Sequence, residues 1–162
     1  MKNAQKITGG QAVVHSLKRE KIKHVFGLIG SATMEIFDAL YQEKKINFIG
    51  VRDERTGAHM ADGYARASNS PGVILAGQNG PGATNLVTGI AQAAAAFSPL
   101  VSIAGSFSTK DEVQDAFQGI DQQSLFKPIT KKTWTITETK KYLKYSVRHL
   151  IWPCLQEEGL FN

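Results

Sequence analysis

Apolar residues recur along the chain in two patterns, short unbroken runs and longer stretches with apolar positions three or four apart, so that strands and amphipathic helices alternate. Thr8 is placed to cap a helix whose inner face carries Ala12, Val13, Leu17 and Ile22. "HVFGLIG" (24–30) reads as a strand entering a glycine turn. A second helix over about 32–43 turns Ile36, Phe37 and Leu40 inward, and "INFIGV" (46–51) is the next strand. After Glu54 comes a helix built on Ala58, Ala61, Gly63 and Ala65, small side chains that let it approach its neighbours closely. "SNSPG" (68–72) is a loop, and "VILAG" (73–77) is apolar throughout, as a strand covered on both faces must be.

"QNGPGATN" (78–85) turns the chain into the helix "LVTGIAQAAAAF" (86–97), whose low polarity predicts burial. "PLVSIAG" (99–105) is another strand, 106–123 a long surface excursion, and "ITKKTWTIT" (129–137) a last strand near a sheet edge. There is no internal repeat. The pattern specifies an α/β fold, three layers in α/β/α order, with a mostly parallel sheet and helices on both faces.

Composition narrows the class without changing the fold. At 162 residues, 42% hydrophobic and 20% charged, the chain has material for one core. Its single cysteine, Cys154, cannot form an internal disulfide and suits a reducing compartment. The N-terminus "MKNAQKITGG" lacks an apolar signal core, and no apolar run reaches the roughly 18 residues a bilayer crossing needs, so a cytoplasmic protein without a membrane partner is expected. The net charge of +5 is concentrated late: residues 1–126 hold 12 basic and 11 acidic residues, whereas 127–162 hold 7 and 3. Lys131, Lys132, Lys140, Lys141 and Lys144 follow no phosphate-binding or base-stacking pattern, and no nucleic-acid partner is expected.

Ligands of open α/β sheets collect beyond the carboxyl ends of the strands. Ile29–Ser31, Asp53–Glu54, Asn79–Gly82 and the excursion carrying Phe117 and Gln118 all fall there. "GPGATN" has neither the dinucleotide spacing nor the Lys-Ser/Thr pair of a phosphate loop. It fits a tight turn equally well as a bare backbone against which a flat ring can lie. Glu54 fits a partner of the helix dipole as well as a catalytic acid. His24 and His59 lack metal-ligand spacing and read as structural, Asp115 and Asp121 read as a solvated loop face, and no metal site is expected.

Taken in order, "FGLIGSA", "DERTGAHMADGYARA", "PGVILAGQNGPGATNLVTGIAQA", "PLVSIAGS" and "DAFQGIDQQSLFKPITK" resemble the N-terminal pyrimidine-binding domain of thiamine-diphosphate enzymes, in particular the acetolactate synthase group. "AGQNGPG" is also similar to sulfoacetaldehyde acetyltransferases. The resemblance runs over about residues 6–141 and implies a domain of 1–141 followed by a non-family tail, 142–162. It implies that Glu54 bonds the N1′ nitrogen of the aminopyrimidine and promotes ylide formation, acting on 2-oxo acids. It further places Gly30, Pro81 and Asn85 beside the cofactor, Gln118 at the reactive centre and substrate, and Phe117 in an apolar wall there. Where the family often has His before the glutamate, this chain has Asp53.

The resemblance also implies what another part must supply. Family members hold the diphosphate through Mg2+ on a Gly-Asp-Gly segment with a later Asn, absent here, so Mg2+ enters only through a missing diphosphate-binding domain, in a homo-oligomer or on a separate chain. After Lys141 the sequence departs from the family, but a shifted reading frame permits Ile-Pro-Glu-Ile-Leu-Arg-Glu-Ala-Phe-Asp-Met-Ala and later Ser-Gly-Arg-Gly-Pro-Val-Gln, the family continuation. The expectation is an N-terminal fragment ended by a frameshift and inactive alone. The alternatives are the pyrimidine-domain subunit of a split thiamine-diphosphate decarboxylase and a noncatalytic binding module.

Overall fold

The structure is a computed structural model that describes residues 6–107, 116–139 and 141. The tail 142–162, to which the frameshift expectation applies, lies outside the described residues, as does Asp115. Helix α1 (Gly9–Arg19) opens on a reciprocal cap: Thr8 Oγ1 accepts from Gln11 N at 3.2 Å while Gln11 Oε1 accepts from Thr8 N at 3.0 Å. Then follow β1 (His24–Gly27), a 3₁₀ turn (Ser31–Thr33), α2 (Met34–Gln42), β2 (Asn47–Gly50), α3 (Glu54–Ser68), β3 (Gly72–Leu75), α4 (Pro81–Ala95), β4 (Leu100–Ile103), α5 (Gln122–Phe126) and a second 3₁₀ turn (Lys127–Ile129).

The four strands are all parallel, in the order β2-β1-β3-β4. Successive strand residues point to opposite faces, which splits the apolar set into two cores. Val25, Val73, Leu75 and Val101 pack with Val13, Val14 and Leu17 of α1 and with Phe37 and Leu40 of α2. Phe26, Ile74 and Ala76 pack with Ala58 and Ala61 of α3, Leu86 and Ile90 of α4, and Phe126. Strand β3 lies centrally and is buried at every residue, which is why its sequence shows no alternation. The three-layer α/β/α expectation is met.

Two helices meet where the small residues are. A β-carbon at Gly89 of α4 would overlap the Ala58 methyl of α3, so the pair is as close as backbone geometry allows. Gly63, expected on the same surface, instead faces open space. Asp62 is the polar element of this side: 1% exposed, it accepts from Ser98 Oγ before β4 and from Arg66 Nη2 one helical turn away, at 3.1 Å. Asp62→Ala leaves the buried Ser98 hydroxyl without its acceptor and is expected to cost about 2 kcal/mol, measured by urea unfolding; an unchanged midpoint would count against this tie.

Several boundaries differ from the sequence reading. Helix α4 begins at Pro81 rather than 86, because Gly80, at φ 46°, makes the turn and Pro81 occupies the first helical turn, where a missing N–H costs nothing. Its outward residues Thr84, Asn85, Thr88 and Gln92 are exposed, so burial is confined to the inner face. The expected strand at 129–137 does not form: Lys127–Ile129 is a 3₁₀ turn, and residues 130–137 make no ladder. Pro128 lacks a ladder donor, and Thr130 Oγ1 bonds back to Phe126 O at 2.8 Å, so the chain closes on itself before it can extend.

Candidate functional site

The strand order reverses between β1 and β3, because β2 lies on one side of β1 and the chain then crosses to β3 on the other. The loops leaving β1 and β3 therefore meet at the switch point on the sheet's carboxyl edge, where sheets of this kind bind their ligands in a crevice. Glycine lets them approach: a β-carbon at Gly30 would overlap the Gly77 carbonyl, and one at Gly77 would overlap that of Leu28. Thr33 Oγ1 secures the contact by donating to Ala76 O at 3.0 Å.

Glu54 comes from the third loop. Asp53 is the N-cap of α3 and accepts from Arg55 N at 2.8 Å, so the duty of satisfying the helix start falls on it. Glu54, the first helical residue, is left to point inward and is 3% exposed. Its Oε2 accepts from Asn85 Nδ2 of α4 at 3.1 Å. Its Oε1 lies against Gly82, where a β-carbon would come within 3.1 Å, and among the described residues it accepts no hydrogen bond. An oxygen that meets no donor from the chain is open to a ligand group that can share a proton.

The fourth loop enters beside the same turn. Gln118 is half-buried and adopts φ 59°, and its carbonyl sits where a β-carbon on Gly80 would be. Gln78 Nε2 donates to Gln118 Oε1 at 2.6 Å, Ser31 Oγ donates to Gln78 Oε1 at 2.8 Å, and Asn79 Nδ2 donates to Phe117 O at 3.2 Å. The Phe117 ring itself is 83% exposed. Downstream, Asp121 caps α5, and hydrogen bonds from the Ser124 side chain and then its backbone hold the carboxyl below the usual carboxylate range.

Thus Glu54, Asn85 and Gly82 form one cluster, Gln118 another, and the turn Gln78–Gly82 joins them; Gly30 adjoins through Ser31 and Gly77. Pro81 is exposed at the start of α4. Gln78, Ser31 and Asn79 had no individual signal in the sequence, because each acts through a partner some 40 positions away. Among the described residues no group of three or more His, Cys, Asp or Glu is placed to hold a metal ion, and no helix is long and apolar enough to cross a membrane.

Comparison with known proteins adds an independent line. Residues 7–125 match the family described as "Thiamine pyrophosphate enzyme, N-terminal TPP binding domain". The chain is 44% identical, over 82% of its length, to a probable acetolactate synthase large subunit of Methanococcus aeolicus, of which the match covers 22%. It is 40% identical over 83% of its length to the acetolactate synthase isozyme 3 large subunit of Escherichia coli, covering 23% of that protein. It is 41% identical over 80% to the mitochondrial acetolactate synthase catalytic subunit of Aspergillus candidus, covering 18%. The chain spans about a fifth of the length of the curated relatives it matches.

Proposed function

Because the chain belongs to the thiamine pyrophosphate enzymes, through their N-terminal TPP binding domain, we propose that its crevice takes the aminopyrimidine end of thiamine diphosphate, in an acetolactate synthase-like enzyme acting on 2-oxo acids. The observation that carries this reading is Glu54: a carboxyl group almost fully buried, held by Asn85 on one oxygen and undonated on the other. The residues present fit the group. Asn85 leaves Oε1 of the Glu54 carboxyl undonated, and a ring nitrogen facing that atom gives the carboxyl the proton-sharing partner it lacks.

When bound, thiamine diphosphate supplies a nucleophilic carbon that attacks a carbonyl group. The chain's own residues do the rest. Asn85 fixes the plane of the Glu54 carboxyl, which holds or releases a proton at Oε1. Gly30 and Pro81 border the ring. Gln118 faces the substrate, with Phe117 contributing apolar surface once a second wall closes over it. That wall, together with Mg2+ and the diphosphate, belongs to a diphosphate-binding region contributed from elsewhere, by another copy or another chain.

A half-site binds weakly. Titration of the chain with thiamine diphosphate and Mg2+ is expected to give a dissociation constant in the roughly millimolar range by calorimetry, with NMR shifts centred on Glu54 and Asn85. Binding a thousandfold tighter would contradict the half-site, and shifts elsewhere would move the site.

A further inference from the structure

Gln78 stands between two side chains brought from distant parts of the sequence, and both ends of its amide are engaged. Its Oε1 accepts from Ser31 Oγ at 2.8 Å, and its Nε2 donates to Gln118 Oε1 at 2.6 Å. The direction of donation therefore runs from Ser31 through Gln78 to Gln118. An amide carries one acceptor end and one donor end, so the end that Gln118 turns toward Gln78 fixes the end it turns away. Its carbonyl oxygen faces Gln78, and among the described residues its Nε2 makes no hydrogen bond.

The backbone that carries Gln118 is held as well. Asn79 Nδ2 grips the Phe117 carbonyl at 3.2 Å, and the left-handed Gly80, where a side chain would be strained, lets the Gln118 carbonyl settle against the turn. The loop is thus tied to the turn after β3 by one side-chain bond to a main-chain carbonyl and one between two side chains, and only the second sets the direction of the Gln118 amide.

We propose that Gln78 is a positioning residue that sets the orientation of the Gln118 amide, so that Gln118 meets its ligand as a hydrogen-bond donor and the crevice selects a carbonyl or carboxylate oxygen at that point. A site built around one donor rejects a ligand group that can only donate, because both would be left unpaired. That this oxygen belongs to a 2-oxo acid rests on the function proposed above; the orientation of the amide does not.

The test is nitrogen-resolved NMR of side-chain amides in the whole chain, with the Gln118 pair identified by its disappearance in Gln118→Glu. In the wild type the Gln118 protons are expected near the position of free glutamine, and one Gln78 proton is expected downfield. Gln78→Glu removes the donor but keeps an acceptor, so it forces Gln118 to turn its NH2 inward: one Gln118 proton should move downfield and exchange slowly. Gln78→Leu keeps the volume and breaks the tie, and should lower the protection of the Gly119 amide, whose N–H donates to Ala116 O, within 116–120. A Gln118 pair that is already displaced in the wild type, that stays in place in Gln78→Glu, or a 116–120 segment unchanged in Gln78→Leu, overturns the proposal. Added thiamine diphosphate reports separately, through Glu54, so failure of the functional reading is distinguishable from failure of the Gln78 assignment.

Discussion

Glu54→Gln is expected to slow exchange of the C2 proton of thiamine diphosphate by about 10²- to 10⁴-fold in an assembly that includes the diphosphate-binding half. The substitution is chosen for what it preserves. A glutamine has nearly the same volume and retains a carbonyl oxygen for Asn85 Nδ2, so the buried contact at 3.1 Å can persist. What it removes is the capacity of Oε1, the atom beside Gly82, to take up and give back a proton. Rate and fold should therefore separate: unfolding is expected to shift by less than about 1 kcal/mol while exchange nearly stops. Proton exchange followed by NMR after acid quench measures the first, and urea unfolding the second. An unchanged exchange rate would remove Glu54 from the role proposed for it.

The second large effect lies away from the crevice. Gly89→Leu drives a side chain into Ala58 across the closest approach of α4 and α3. Both neighbours are buried and neither helix can yield alone, since Ala58 is 0% exposed and Leu86 and Ile90 pack beside it. Overpacking of this kind is expected to cost roughly 3 kcal/mol, which for a domain of this size lowers the melting temperature by about 6–12 °C. Glu54 rides on α3 and Asn85 on α4, so separating the helices also pulls apart the pair that orients the carboxyl. Calorimetric melting checks the first consequence; loss of the NMR shifts that thiamine diphosphate induces at Glu54 checks the second. A variant that melts normally would show that the contact is not tight.

Much of the fold was legible because local and global signals agree. Thr8 announced the first helix and caps it through Gln11. The unbroken run at 73–77 announced a central strand, and β3 is buried on both faces. The reading failed where tertiary partners decide. "TWTIT" has strand propensity, but a strand needs a ladder, and the turn at Pro128 with the back-bond of Thr130 takes the chain elsewhere. Gly63 looked like the other small residues of α3, and only the rotation of the helix shows that it misses α4.

The crevice was legible in part for a similar reason. Glycine turns and the acid at 54 mark loop ends, so the loops could be placed at one edge. That Asp53 would take the capping duty and leave Glu54 inward follows from one hydrogen bond, from Arg55 N to the Asp53 side chain at Oδ1. Gln78 was invisible because its importance lies in whom it touches, Ser31 and Gln118, and contacts across 47 and 40 positions leave no periodic trace.

The bond from Val51 N to Gly27 O, at 2.8 Å, is the last thread tying the β2 end to its neighbour, and only Arg52 and Asp53 separate it from Glu54. The linker is thus a ruler. Because α3 is locked against α4 at Ala58 and Gly89, one residue added to the linker would be absorbed at its ends, by breaking the Val51 bond or by displacing the Asp53 cap that leaves Glu54 pointing inward. Length variation, tolerated in most surface connections, costs a strand bond or a helix cap at this one.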